Sequence, residues 1–395
     1  MKRKVAIYTG NRAEFGMLCP IIKAIGRHPG LEYQLIVSGA HLDDSFGLSK
    51  KEIEREGVQI AREIKLEYGS ESIVSTTKSI GEGIIKLCDV LLELKPDIVL
   101  VGADRYESFS AMIAATQLNF PTAHFEGGDV TLGGALDDSL RHAMTKLAHI
   151  HLTTNYDSKE RVIKLGEEAW RVNDVGFPGI GAMAASDFIT PEDICAQLNI
   201  DIKKPFILFT QHSISTQPDE ATEQIKPSLD ALVELSVEKD CQVLITYPNN
   251  DAGGQKIIAE IEKRKPSFNK NIQVIPHLGH KRYLGVLNIC GQAGTGVCVG
   301  NSSSGIKETP IFGSPSIIIG TRQDGRLRAG NVINVGYNKQ EIKEAIMKSL
   351  FDKQYREHCK NIKNPYGDGN SGELIAEILV KTEINRELLN KKITY

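Results

Sequence analysis

The sequence predicts an α/β protein of two domains, each built on a doubly wound parallel sheet, and three observations carry that prediction. Short apolar strands rich in Val, Ile and Leu alternate with helical stretches through both halves of the chain. Most of these strands run into clusters of Gly, Ser, Asn and charged residues, as expected where a strand gives way to a turn and a helix. The 395 residues exceed one ordinary domain and suit two. The crossover is expected at Gly176-Phe-Pro178-Gly-Ile-Gly181. That gives an N-terminal domain over 1–178, a second over 179–370, and a C-terminal helix within 371–395 that packs back on the first.

In chain order, Val5–Thr9, Tyr33–Ser38, Asp97–Val101, Thr122–Phe125 and Ile150–Thr154 read as strands, with helices such as Met17–Gly26 and Ser79–Leu94 between them. The first four strand ends carry Gly10-Asn-Arg-Ala-Glu-Phe-Gly16, Ser38-Gly-Ala-His41-Leu-Asp-Asp, Gly102-Ala-Asp104-Arg105-Tyr-Glu and His124-Phe-Glu126-Gly-Gly-Asp129. A helix is expected near Leu136-Asp137-Asp138-Ser-Leu-Arg141-His142, with one of the two aspartates as its N-cap. The first cluster is no dinucleotide fingerprint, because its glycines stand six apart. In the second half, Phe206–Thr210 ends in Gln211-His212-Ser213, Gln242–Thr246 in Tyr247-Pro-Asn249, and Ile272–Ile275 in Pro276-His277. Helical patterning resumes over Glu341–Phe351 and Gly372–Val380, the latter capped by the turn Tyr366–Ser371. Ligands on such sheets bind outside the carboxyl ends of the strands, so clusters on one edge point to a cleft.

Composition narrows the function. The apolar fraction of 41%, charged fraction of 25% and net charge of −3 fit a soluble cytoplasmic protein. With no basic excess, nucleic acid is not the expected partner. No apolar run nears the ~18 residues that span a bilayer, so no membrane is expected either. The N-terminus reads as a strand, not a signal peptide. Seven scattered cysteines and the pair His277 and His280 lack metal-ligand spacing, so neither a metal nor a cofactor is expected.

The densest stretch is Val299–Arg322. Asn301, Ser302, Ser303, Ser304 and Gly305 are turn and N-cap types after a strand, a short helix through Lys307 and Glu308 follows, and Ser316–Ile319 is the next buried strand. Free N–H groups at such a helix start form a seat for phosphate, to which Arg322 adds donors. Glu308 has the wrong sign for phosphate and the right one for a pair of sugar hydroxyls. The stretch reads as a seat for a nucleoside diphosphate.

Taken together, these clusters resemble the UDP-N-acetylglucosamine 2-epimerases, and within them the hydrolysing branch that makes N-acetylmannosamine for sialic acid synthesis. The matching pieces are Thr9–Gly16, Gly39–Asp44, Asp104–Glu107, His124–Gly128, Asp137–His142, Gln211-His212, Pro248–Gly253, Gly300–Ser303 and Gly320–Arg322, spread over nearly the whole chain. The resemblance implies a GT-B architecture, two Rossmann-like domains with the active site in the cleft. It implies that Ser302 and Ser303 hold the diphosphate, Glu308 the ribose hydroxyls, and Asn249 and His212 lie beside the nucleotide. Arg12, Arg105 and Arg322 complete the positive surround, and His41, Asp138 and Arg141 fall on the sugar side. The partners implied are a nucleotide sugar and released UDP, in a homodimer or homotetramer.

The chemistry calls for acids. A sugar C2–H is removed only while the C1–O bond to diphosphate loosens, and C2 inversion uses two faces, hence at least two acid–base groups. Asp104, Glu126 and Asp137 are the candidates, with His212 a further one. Glu126 and Asp104 are favoured because they end adjacent central strands, and which is base and which acid stays open. Two departures lie on the sugar side: Ala103 where the family carries glycine, and a loop Asp129–Leu136 longer than its usual spacing. They leave two substrates in play, UDP-N-acetylglucosamine and a UDP- or GDP-linked 2,4-diacetamido sugar on the way to legionaminic acid, and the non-hydrolysing epimerase is a further alternative in chemistry. A retaining glycosyltransferase and a non-enzymatic nucleotide-sugar sensor are the alternatives from other classes.

Overall fold

A computed structural model describes residues 2–42, 50–68, 73–131, 135–181, 187–214, 216–249 and 252–395. The chain divides into two units. The first comprises Met1–Asp129, Leu136–Gly181 and Tyr366–Tyr395, and the second Val130–Ala135 and Ala182–Pro365.

The first unit holds strands β1 (Arg3–Thr9), β2 (Leu31–Ser38), β3 (Ile60–Ile64), β4 (Ile98–Gly102), β5 (Thr122–Phe125), β6 (Ile150–Thr153) and β7 (Val172–Asp174). All pair in parallel, in the order β3-β2-β1-β4-β5-β6-β7. Helices α1 (Arg12–Arg27), α2 (Lys50–Arg55), α3 (Ile73–Leu94), α4 (Tyr106–Gln117), α5 (Ala135–Leu147) and α6 (Tyr156–Lys164) connect them. The middle strands β4, β5 and β6 are buried throughout; β4 reads as an unbroken apolar run, while β5 and β6 also bury Thr122, His124, His151 and Thr153. Ala6, Tyr8, Val99 and Val101 of the sheet pack with Leu87, Leu91, Met112 and Met144 of the helices.

The second unit repeats the plan with β8 (Phe206–Thr210), β9 (Gln242–Ile245), β10 (Ile272–Val274), β11 (Gly296–Gly300), β12 (Ser316–Ile319) and β13 (Val332–Val335), in the order β10-β9-β8-β11-β12-β13. In both sheets the order reverses direction once, between β1 and β4 and between β8 and β11. Outside the carboxyl ends at such a switch point the flanking connections diverge and leave room for a ligand.

The sequence reading misses β3 and β13, which lie at one edge of each sheet. β3 and β13 are only partly buried, so they show no continuous apolar run to read. The helix expected through Lys307 and Glu308 is α-helical only over Ser304–Lys307 and continues as a 3₁₀ turn over Thr309–Phe312. Pro310 has no N–H to carry the α-helical ladder forward. Gly313, at φ +59°, then ends the turn.

The division falls at Gly181/Ala182 and Pro365/Tyr366, not at 178/179 and 370/371. The Gly-Pro stretch belongs inside the first unit, because Phe177 N donates to Tyr366 O at 2.7 Å. Val130–Ala135 belong with the second unit, where Arg326 donates to Val130 O at 3.0 Å and to Thr131 Oγ1 at 2.9 Å. The helix Ser371–Lys381 packs on α1 within the first unit. Arg3 donates to the carbonyls of Leu379, Val380 and Thr382, satisfying acceptors that the end of that helix leaves open.

Candidate active site

In the first unit the ends of β4 and β5 lie side by side, as expected of Asp104 and Glu126. Both ends turn through the left-handed region on residues other than glycine: Ala103 at φ +59° and Glu126 at φ +64°. Such conformations are costly and cluster at functional positions. A glycine at 103 would meet this φ without strain, which is the physical sense of the residue expected there. The Ala103 amide is tied to Phe125 O at 3.0 Å and that of Glu126 to Leu152 O at 3.1 Å. His124 Nε2 lies 2.9 Å from Ala103 O. Burial pushes the His124 imidazole down to about 3, so it is neutral and donates that bond.

Arg141 gathers the acids. It is 2% exposed, and its guanidinium donates to Asp104 Oδ2, Asp138 Oδ1 and, at 3.0 Å, to Asp129 O. Burial alone would lower its pKa, but the charges of Asp104, Asp129, Asp138 and Glu126 outweigh burial and raise it. One buried cation thus bonds two carboxylates, Asp104 and Asp138, and lies within the field of two more, Asp129 and Glu126. This corrects one expectation. Asp104 pairs with Arg141, and Arg141 is too buried to present itself to a sugar. α5 begins at Ala135, so Asp137 and Asp138 sit inside its first turn and neither is its N-cap. Asp137 and Asp138 keep part of their surface exposed.

His41 is likewise corrected. It is fully buried, with Nε2 3.0 Å from Thr9 Oγ1 and its ring edge-on to Phe15. Burial lowers its pKa to about 4. It braces the end of β1 instead of facing a substrate. The Arg12 side chain, Asp43, Asp44, Asn250 and Asp251 lie outside the described residues. Arg105 starts α4 without capping it, and its Nε lies 3.6 Å from Glu107 Oε2.

A second acidic pair went unnoticed in the sequence. Glu14 accepts from Gly10 N at 2.8 Å and Ser108 Oγ at 2.6 Å, and both it and Glu107 are 2% exposed. Burial, then the Glu107 charge, pushes Glu14 up from 4.5 to about 8. A carboxyl raised in this way favours folding fully below about pH 4.5, and that contribution is lost as the pH rises to about 8. Melting temperature should therefore fall between pH 5 and 8, with Glu14 contributing up to about 1.4 kcal/mol per pH unit. Glu14→Gln should flatten that slope, and an unchanged slope would acquit Glu14.

In the second unit the predicted seat is held by Asn301, which is a clamp and not a cap. Fully buried, it accepts from His212 N at 2.6 Å and donates to His212 O at 2.8 Å, tying the end of β8 to the end of β11. Its own carbonyl accepts from Arg322 Nη1 at 3.2 Å and Gln323 Nε2 at 2.9 Å. Gly300 makes this approach possible: at φ +142°, a Cβ there would sit 1.8 Å from Thr210 O. Asn249 N donates to His212 Nδ1 at 3.0 Å. With that lone pair engaged, the ring proton sits on Nε2, so His212 offers a donor there. Ser302 and Ser303 keep accessible surface at the start of the short helix, and Ser302 Oγ accepts from Ser304 N at 3.4 Å. Glu308 accepts from Ser304 Oγ at 2.5 Å.

His212, Asn249, Ser302 and Arg322 are thus brought to the carboxyl ends of β8, β9, β11 and β12, around the switch point. Sequence reading passes over Gln323 and takes Asn301 only for a turn and N-cap type. Only burial marks them, and a turn-type asparagine gives no local sign of it. Among the described residues no group of three or more His, Cys, Asp or Glu could hold a metal, and no helix is long and apolar enough to cross a membrane.

Two Rossmann-like units, each on a parallel sheet, define an α/β protein of the GT-B class. The pattern of the family described as UDP-N-acetylglucosamine 2-epimerase matches residues 23–380, and the chain belongs to that family. It is 32% identical to the GDP/UDP-N,N'-diacetylbacillosamine 2-epimerase (hydrolyzing) of Campylobacter jejuni, over 90% of each chain. Identity is 29% to the UDP-N,N'-diacetylbacillosamine 2-epimerase (hydrolyzing) of Legionella pneumophila, over 99% of each, and 31% to a UDP-N-acetylglucosamine 2-epimerase of Neisseria meningitidis, over 88% of each. The fold is that of the Neisseria meningitidis UDP-GlcNAc 2-epimerase crystallised with UDP-GlcNAc, with a TM-score of 0.82 at 22% identity over 96% of this chain and 100% of that one.

Proposed function

We propose that this chain is a hydrolysing 2-epimerase whose substrate is a UDP- or GDP-linked 2,4-diacetamido sugar of the diacetylbacillosamine type. The observation that carries this reading is the pair of hydrolysing diacetylbacillosamine 2-epimerases at 32% and 29% identity, matched over 90% and 99% of this chain. It displaces UDP-N-acetylglucosamine from first place among the substrates. The relative at 31% identity keeps UDP-N-acetylglucosamine, with N-acetylmannosamine and sialic acid synthesis downstream, as the second reading.

In the proposed reaction the second unit takes the nucleotide and the first handles the sugar. Ser302, Ser303 and Arg322 hold the diphosphate, Asn249 lies beside the nucleotide, and Glu308 accepts from the ribose hydroxyls. His212 donates from Nε2 to the departing diphosphate as the C1–O bond breaks. A carboxylate, Glu126 or Asp104, takes the C2 proton, and the electron pair of that C–H bond forms the C1–C2 double bond of a 2-acetamidoglucal. The other acid then protonates C2 on the opposite face, and water adds its oxygen at C1 and passes its spare proton to the carboxylate that acid has become. The products are the free C2-inverted sugar and the nucleoside diphosphate. Asp137 and Asp138, partly exposed in the first turn of α5, orient the water or the sugar, and Arg12 and Arg105 complete the positive surround of the phosphates.

The test is turnover in deuterated water followed by NMR, with UDP-N,N'-diacetylbacillosamine and UDP-N-acetylglucosamine as parallel substrates. The expected result is faster turnover of the diacetamido sugar, released free with deuterium at C2 together with UDP. Preference for UDP-N-acetylglucosamine would install the second reading. A product still linked to UDP would replace hydrolysis by the non-hydrolysing reaction.

A further inference from the structure

We propose that Arg161 of α6 is a positioning residue for Glu126, acting through the carbonyl of Gly128, a role that rests on the acid–base part proposed for Glu126. Two glycines follow Glu126, and what surrounds them requires both. A Cβ at Gly127 would sit 2.9 Å from Thr145 Oγ1 and 3.0 Å from His124 Nδ1. One at Gly128 would sit 2.3 Å from Ser158 O and 2.7 Å from Val162 Cγ2. Gly128 also turns at φ +77°, in the left-handed region that glycine enters without strain. The turn after Glu126 therefore lies directly on the start of α6, which Asn155 caps by accepting from Ser158 N at 2.9 Å.

Two adjacent glycines carry more backbone freedom than any other pair, and an acid or base tolerates little of it: a displacement of ~1 Å can cost ~100-fold in rate. The peptide planes beyond Glu126 must be fixed by something other than their own side chains. On the near side the Glu126 amide is held by Leu152 O at 3.1 Å. On the far side two guanidinium groups close on consecutive carbonyls, Arg161 donating to Gly128 O and Arg141 donating to Asp129 O at 3.0 Å. The two arginines differ in what else they hold. Arg141 is buried and bonds Asp104 and Asp138, so its loss is felt by the fold. Arg161 is half-buried and makes no ion pair among the described residues; its guanidinium serves the Gly128 carbonyl. Without it α6 keeps its anchors, since Val162 is fully buried and the Asn155 cap is untouched. Losing Arg161 should loosen the turn and spare the fold.

Arg161→Met keeps an apolar stem and removes the donor. On the nucleotide sugar that the unaltered protein turns over, kcat should fall by a factor on the order of 10–100. UDP affinity by calorimetry should stay within about twofold, because the diphosphate is proposed to sit on the second unit. Arg161→Lys restores a charged donor and should recover part of the lost kcat. Hydrogen exchange followed by mass spectrometry should show residues 126–129 exchanging on the order of tenfold faster in Arg161→Met, with α6 unchanged. That measurement needs no turnover: an unaltered protein that converts no nucleotide sugar would remove the proposed reaction, while exchange over 126–129 would still judge the clamp. Unchanged exchange there, an Arg161→Met kcat within about twofold of normal, equal losses of kcat and UDP affinity, or an Arg161→Lys kcat no higher than that of Arg161→Met would each overturn the proposal.

Discussion

Glu126→Gln should bind UDP almost as the unaltered protein does and lose turnover by a factor on the order of 10³, the usual contribution of a positioned acid or base. The carboxamide keeps the size of the side chain and leaves the backbone turn at φ +64° with its amide bond to Leu152 O. What it removes is the capacity to take up a proton. UDP affinity by calorimetry and UDP release from the nucleotide sugar separate the two effects. Turnover above about a tenth of normal would exclude Glu126 as the base or acid. Loss of UDP binding along with turnover would instead mean that Glu126 supports the fold.

The second large effect is structural. Arg141→Met should destabilise the protein by about 3–5 kcal/mol, because it strips the partner from Asp104 and Asp138 and leaves the Asp129 carbonyl without its donor. Adding Asp138→Asn should return part of that loss, since the penalty lies in unpaired carboxylates more than in the missing cation. Chemical denaturation of the single and double variants checks both statements. A loss below about 1 kcal/mol for Arg141→Met would mean that the carboxylates find water or another partner, and the cluster would lose its claim to hold the site together.

The two variants bracket what was readable in advance. Asp104, Glu126, His212, Ser302 and Arg322 could be picked out as chemistry-bearing groups because each follows an apolar strand, and in a parallel sheet all such ends share one edge. Arg141 could be seen but not understood: its residue type allows a sugar contact, and only its burial among aspartates makes it an internal brace. His41 fails for the same reason, since nothing around it in the chain reveals that Thr9 and Phe15 enclose it.

What the sequence determined by itself is local in origin. Apolar runs, turn residues and helix starts settle the strand–helix alternation, the parallel sheets and the edge on which chemistry collects, because each depends on neighbours a few residues apart. The tertiary structure alone decided that Asn301 ties β8 to β11, that the Arg141 guanidinium reaches Asp104, and that the buried Glu14 feels the charge of the buried Glu107. Those pairings join positions far apart in the chain, and their energies come from removing charge and hydrogen-bonding groups from solvent, which only the folded arrangement specifies.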